Sequence, residues 1–217
     1  MELREILPLV DHTELNPAAT WEDVRTLCDD AARFGTATVC IPPCYVKQAA
    51  AYLEGRLPVC TVIGFPHGNS ATAAKVNEAA QAVADGAAEV DMVINIGWAK
   101  DGRFADITAE IATIKQAVGD KCLKVIIEAC RLTDEEKVAL CRCVTEAGAD
   151  FIKTSTGFSA GGATAEDIRL FAAHVGPAVK IKAAGGIRTV AFAAELIACG
   201  AHRIGASALV KLAKENK

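Results

Sequence analysis

The stretch "EAGADFIKTSTGFSAGG", Glu146 to Gly162, decides how the chain is read. A helical segment stops at Gly148, a short apolar run follows at Phe151-Ile152, and the run opens at Lys153 into a loop of Thr, Ser and Gly. Glycine past a helix end takes the left-handed conformation that closes the last turn. An apolar run this short has the length of a strand, not of a helix. The same junction recurs at "DGAAEVD", Asp85 to Asp91, and at "ACGAHRI", Ala198 to Ile204.

Outward from these junctions, eight short apolar runs are predicted strands: Ile6–Val10, Ala37–Ile41, Val59–Ile63, Glu89–Asn95, Leu123–Glu128, Phe151–Thr154, Val179–Ala183 and Arg203–Gly205. Segments with helical spacing separate them, among them Ala71–Asp85, Asp106–Val118, Asp134–Ala147 and Val190–Cys199. "TDEE", Thr133 to Glu136, is a capping box, and "GIRT", Gly186 to Thr189, precedes another Ala-rich helix. Eight strand–helix repeats without a linker point to one α/β domain over residues 1–217, a (β/α)8 TIM barrel. An open doubly wound sheet usually has fewer strands, and no strand–helix junction carries G-x-G-x-x-G.

Composition narrows the function. The 217 residues are 52% hydrophobic but only 5% aromatic, so the core is aliphatic. A net charge of −4 argues against nucleic acid or an anionic membrane as partner. The start "MELREILPLV" does not read as a signal peptide, and no run approaches the length of a membrane span. A cytoplasmic protein is expected. Nine cysteines sit mostly in apolar segments, and Cys40/Cys44 and Cys141/Cys143 lack partner pairs at zinc-site spacing. Buried, reduced thiols without metal are expected.

In such barrels, function sits where strands end and loops enter helices. Those ends carry Asp11, Cys40, Asp91, Glu128, Lys153-Thr154, Lys182 and Ser207. Neighbouring strands would place Lys153 and Lys182 side by side. Two inward ammonium groups about 6 Å apart repel by roughly 3 kcal/mol at an effective dielectric near 20. Repulsion and desolvation both push a lysine towards the neutral amine, which is a nucleophile. Asp91 on strand four offsets part of the repulsion; pairing mainly with Lys182, it would leave Lys153 neutral. A lone lysine at a strand end usually reaches to solvent or pairs structurally. Two on adjacent strand ends with an inward aspartate point to chemistry instead.

Glycines at "AAGGIR", with Gly185 and Gly186, and "GAS", ending at Ser207, suggest an anion site on backbone N–H groups. His12 should face away from Asp11, because adjacent strand residues alternate. It and His67 are read as structural. Lys180 shares the phase of Lys182 and is expected on the same side, one layer deeper.

These residues together resemble deoxyribose-phosphate aldolases, in "LVDHTEL", "TVCIPP", "GFPHGN", "GAAEVDMVINIG", "KVIIEAC", "DFIKTSTGF", "KAAGGIRT" and "RIGAS". The resemblance runs from about Leu9 to Ser207. It implies reversible cleavage of 2-deoxy-D-ribose 5-phosphate to D-glyceraldehyde 3-phosphate and acetaldehyde. It makes Lys153 the Schiff-base lysine, Lys182 the second lysine, and Asp91 an acid/base working through water. Asp11 supports the relay, Cys40 lies near the substrate, and Thr154 belongs to the loop that supplies it with hydroxyls. Gly157, Gly185, Gly186 and Ser207 fall where the family holds phosphate. No metal or organic cofactor is implied, since the protonated imine is the electron sink, and a homodimer or homotetramer is compatible.

Three positions depart from the expected pattern. Ala208 stands where a second serine is expected, which implies weaker phosphate selectivity. Lys180 stands in place of a small residue, and Arg131 in place of an apolar one. The rivals are another Schiff-base barrel, transaldolase-like or a keto-acid phosphate aldolase, and a non-catalytic barrel that binds a sugar phosphate.

Overall fold

The computed structural model describes residues 1–215. Its eight parallel strands close into a barrel in chain order. They are β1 (Val10–Thr13), β2 (Thr38–Ile41), β3 (Val59–Ile63), β4 (Glu89–Val93), β5 (Cys122–Ile126), β6 (Phe151–Lys153), β7 (Lys180–Ala184) and β8 (Arg203–Ala206). Each leads to a covering helix: α1 (Trp21–Phe34), α2 (Val46–Leu53), α3 (Thr72–Ala84), α4 (Phe104–Val118), α5 (Asp134–Glu146), α6 (Ala165–His174), α7 (Val190–Ala198) and α8 (Ala208–Glu215). The ring closes where β1 pairs with β8, Val10 opposite Ile204.

Strands read as continuous apolar runs because both of their faces are covered. Period two sends Val39, Val90, Met92, Ile152 and Ile181 outward, into the layer between barrel and helices. Their neighbours Cys40, Asp91, Lys153 and Lys182 therefore turn inward. Helix starts follow the capping chemistry that the sequence carries. At α5, Thr133 Oγ1 accepts from the Glu136 N–H at 3.3 Å, and Glu136 Oε2 accepts from the Thr133 N–H at 2.7 Å.

The first predicted strand is corrected. Leu3–Ile6 is a short helix, Leu7–Leu9 a 3-10 turn, and β1 begins only at Val10. Pro8 has no N–H to give a neighbouring strand, and its fixed φ suits the start of a helical turn. The other seven strands lie within about three residues of their expected ends. No helix among the described residues is long and apolar enough to cross a membrane.

One buried ion pair ties α3 to α4 beside β4. Lys75 Nζ lies 2.9 Å from Glu110 Oε2 and donates to the Val93 carbonyl at 2.9 Å, while Thr72 Oγ1 donates to Glu110 Oε1 at 2.9 Å. Both charges are out of solvent. Breaking one partner leaves the other charge buried, whereas replacing both by apolar groups removes that penalty. Lys75→Met is expected to lower stability by about 3–5 kcal/mol, and Lys75→Met/Glu110→Leu to recover most of it. Urea unfolding of the two variants checks this.

Candidate active site

The register sets the site. Lys153 and Lys182 are direct partners across β6 and β7, and Asp91 is the partner of Lys124 across β4 and β5. Barrel closure then brings β4 to face β6 and β7 across the interior. Asp91 Oδ2 accepts from Lys153 Nζ and from Lys182 Nζ, each at 2.7 Å. Its other oxygen, Oδ1, accepts from Lys124 Nζ at 2.7 Å. Lys182 is also ion-paired with Asp11.

The network continues below this layer. Lys124 lies 2.6 Å from Glu89, and Arg203 reaches Asp11 at 2.6 Å and Glu89 at 3.2 Å. The barrel interior is thus an ionic lattice, with Lys124, Lys153, Lys182 and Arg203 set against Asp11, Glu89 and Asp91. Sequence reading passed over Lys124, Glu89 and Arg203. The signal was present: each shares the inward phase of its strand with a site residue, or stands two residues before one, as Glu89 does before Asp91.

The expected division of labour, with Asp91 mainly on Lys182, is replaced by a shared carboxylate. Burial would raise the Asp91 carboxyl, yet Lys124, Lys153 and Lys182 together hold it well below the ordinary carboxylate range. Burial likewise opposes, but Lys182, Lys124 and Arg203 outweigh it, in keeping Asp11 low. On the cationic side, burial disfavours the Lys182 ammonium, and Asp11 and Asp91 more than compensate, so its pKa is raised. Lys124 is raised well above its usual value in the same way, Asp91 being its largest support. Lys182 and Lys124 are therefore held as cations.

Of the ionic lattice, Lys153 alone meets a cavity of about 680 Å³ at the C-terminal ends of the strands. Gly157, Gly185, Gly186 and Ser207 line the same cavity, as does Ala208. Two cations that sequence reading did not select, Arg188 and Lys211, join them. Gly185 has φ +85°, and a Cβ there would meet Gly162 Cα at 3.0 Å, so glycine lets the loops after β6 and β7 touch and close the wall.

Other expected residues fall elsewhere. Asp91, Lys182, Asp11 and Cys40 are fully buried behind the cavity, so Asp11 and Cys40 do not line it. Thr154 also leaves the wall: its hydroxyl donates to the Ala184 carbonyl at 3.0 Å and accepts from the Ala184 N–H at 3.1 Å, clasping β6 to β7. Glu128 (φ +55°), another strand-end residue, accepts from the Thr156 N–H at 3.2 Å and hydroxyl at 2.5 Å. It thereby fixes the loop that follows Lys153. Arg131 is exposed and donates to Ser159 Oγ at 2.8 Å. Lys180, the first residue of β7, emerges at the opposite mouth of the barrel, 5.9 Å from the Phe151 ring centre. It is not a layer of the site.

Cys40, Cys60 and Asp91 bring potential ligand atoms within 4.8 Å of one another. Three ammonium groups already occupy the Asp91 oxygens, so a divalent cation would have to displace them. All nine cysteines are free thiols.

A closed barrel with a polar cavity at the C-terminal ends of its strands defines the class, a (β/α)8-barrel enzyme. The model of the DeoC/LacD family aldolases matches residues 6–212. The chain is 53% identical to a deoxyribose-phosphate aldolase of Clostridium botulinum (strain Eklund 17B / Type B), over 99% of this chain and 97% of that protein. It is 54% identical to one from Streptococcus agalactiae serotype Ia, over 100% and 97%. A tetrameric deoxyribose phosphate aldolase from Aeropyrum pernix superposes with a TM-score of 0.89 at 30% identity, covering 99% of this chain and 92% of that one. The chain belongs to the DeoC/LacD family of aldolases.

His12 faces outward from the barrel and is buried, with no hydrogen-bond partner for Nδ1 among the described residues. His67 is exposed. Burial pushes the His12 imidazole down from 6.5 to about 4. The unfolded chain then binds a proton that the folded chain refuses between those values. Stability is therefore full above about pH 6.5 and falls as the pH drops towards 4, by roughly 3 kcal/mol in all. His12→Gln is expected to flatten this part of the profile. Denaturant midpoints measured across pH 4–7 check the prediction.

Proposed function

We propose that the chain catalyses reversible aldol cleavage of 2-deoxy-D-ribose 5-phosphate to D-glyceraldehyde 3-phosphate and acetaldehyde, with Lys153 as the Schiff-base lysine. The observation that carries this reading is the position of Lys153, which both reaches the cavity and touches the Asp91 carboxylate. The curated relatives named deoxyribose-phosphate aldolase support the substrate, over a transaldolase-like or keto-acid reaction.

In this reading the steps are as follows. The Lys153 amine attacks the C1 aldehyde of the open-chain sugar, and loss of water gives an iminium. Removal of the C3 hydroxyl proton breaks the C2–C3 bond, and the electron pair passes through C2 into the iminium as an enamine. Protonation at C2 and hydrolysis release acetaldehyde and return the amine. Asp91 and Lys182 lie behind Lys153 and handle protons through the lysine nitrogen and a water. Arg188, Lys211, Ser207 and the glycines Gly185 and Gly186 line the same cavity as Lys153, and in this reading they bind the 5-phosphate and fix the direction of the chain. On the precedent of the Aeropyrum pernix tetramer, the enzyme works as a homo-oligomer.

Lys153→Arg keeps the positive charge but removes the nucleophile, and turnover of 2-deoxyribose 5-phosphate should fall by roughly three orders of magnitude or more. Near-normal turnover in that variant would contradict the assignment. At the phosphate end, Lys211→Met should raise KM for the phosphorylated sugar about ten-fold, ~1.4 kcal/mol, with little effect on unphosphorylated 2-deoxyribose. Ala208→Ser should increase the preference for the phosphorylated sugar. Steady-state kinetics with both sugars test the pair.

A further inference from the structure

Below the cavity stand two thiols that the aldol reaction does not use as a pair. Cys40 on β2 and Cys60 on β3 are register partners in the parallel sheet. Their backbones are thus one strand spacing apart, ~5 Å, inside the Cα separation of about 4.4–6.8 Å that a disulfide spans. Both side chains turn into the barrel, where they pack with Val62 under Leu15 and Phe65. Their Sγ atoms lie within 4.8 Å of each other.

The two thiols differ in surroundings. The Cys60 thiol is 3.2 Å from Asp91 Oδ1 and 3.2 Å from Lys124 Nζ, and burial raises it well above the ordinary thiol range. For Cys40, the adjoining Cys60 thiol, helped against burial by the Lys182 and Lys153 ammoniums, lowers the pKa. These surroundings favour ionisation of Cys40 over that of Cys60.

The geometry points to Cys40 and Cys60 as a site of reversible oxidative modification, closing to a disulfide with hydrogen peroxide as oxidant. The Cys40 thiolate attacks one peroxide oxygen, the O–O bond breaks, and hydroxide leaves and takes up a proton as water. Cys40 is then a sulfenic acid. The Cys60 sulfur attacks the Cys40 sulfur, the S–O bond breaks, and the hydroxyl leaves with the Cys60 proton as a second water. Two thiols lose two electrons and two protons, and peroxide is reduced to two waters. A divalent metal is the competing use for these sulfurs, but Lys124, Lys153 and Lys182 oppose added positive charge, and a disulfide adds none.

Closure withdraws the Cys60 thiol from Asp91 and from Lys124, disturbing the carboxylate that also holds Lys153. Aldol turnover is expected to fall and to return on reduction; this consequence rests on the proposed function, whereas the bond itself does not.

The test is to expose the native protein to graded hydrogen peroxide, alkylate the remaining thiols after unfolding, and map the peptides by mass spectrometry. The expected product is a Cys40–Cys60 linked peptide, lighter by two hydrogens, which dithiothreitol removes. In Cys60→Ala, Cys40 should instead be trapped by dimedone as the sulfenic acid. If that variant does not fold, the wild-type map decides alone. Oxidation of the exposed Cys44 and Cys130 while Cys40 and Cys60 remain fully alkylated would overturn the proposal. The map needs no turnover, so it separates failure of this site from failure of the aldolase reading.

Discussion

One buried carboxylate organises the molecule. Asp91 meets Lys124 with one oxygen and both Lys153 and Lys182 with the other. Three ammonium groups could not be packed into a barrel interior without it, because each unpaired charge there costs several kcal/mol. Asp11 and Glu89 extend the compensation down to Arg203. The cost of this lattice is met by the aliphatic layer outside the barrel, where residues such as Met92, Ile111 and Phe171 are out of solvent.

The fold supplies the lattice with geometry that no single segment has. β4 meets neither β6 nor β7 in the sheet, and Asp91 reaches their lysines only because the strands close into a ring. Register fixes the remaining freedom: Lys153 opposite Lys182, Asp91 opposite Lys124. A slip of one residue would turn every one of these charges into the aliphatic layer. The same alternation explains why His12, beside Asp11 in the chain, ends on the opposite face and takes no part in the site.

Much of this was legible in the chain. Glycine-terminated helices followed by short apolar runs revealed the eightfold repeat, and the strand ends held Lys153, Lys182 and Asp91. Two kinds of information were not legible. Strand-end reasoning looks only at the rim of a barrel, so Lys124, Glu89 and Arg203, one layer in, were passed over although their phase was right. Side-chain direction within loops is set by tertiary contacts, so Thr154 read as a substrate residue and Glu128 as no more than a polar strand end. One clasps β7, and the other holds Thr156. Pro8 misled in a simpler way, because an apolar run around a proline reads as a strand until its missing N–H is counted.

The central claim is that the amine of Lys153, backed by Asp91, forms an imine with an aldehyde. Incubation with acetaldehyde followed by borohydride reduction and peptide mapping tests it most directly. The account predicts an ethyl adduct on Lys153, absent from Lys153→Arg. An adduct on Lys124 or Lys182 instead, or none on folded protein, would contradict it.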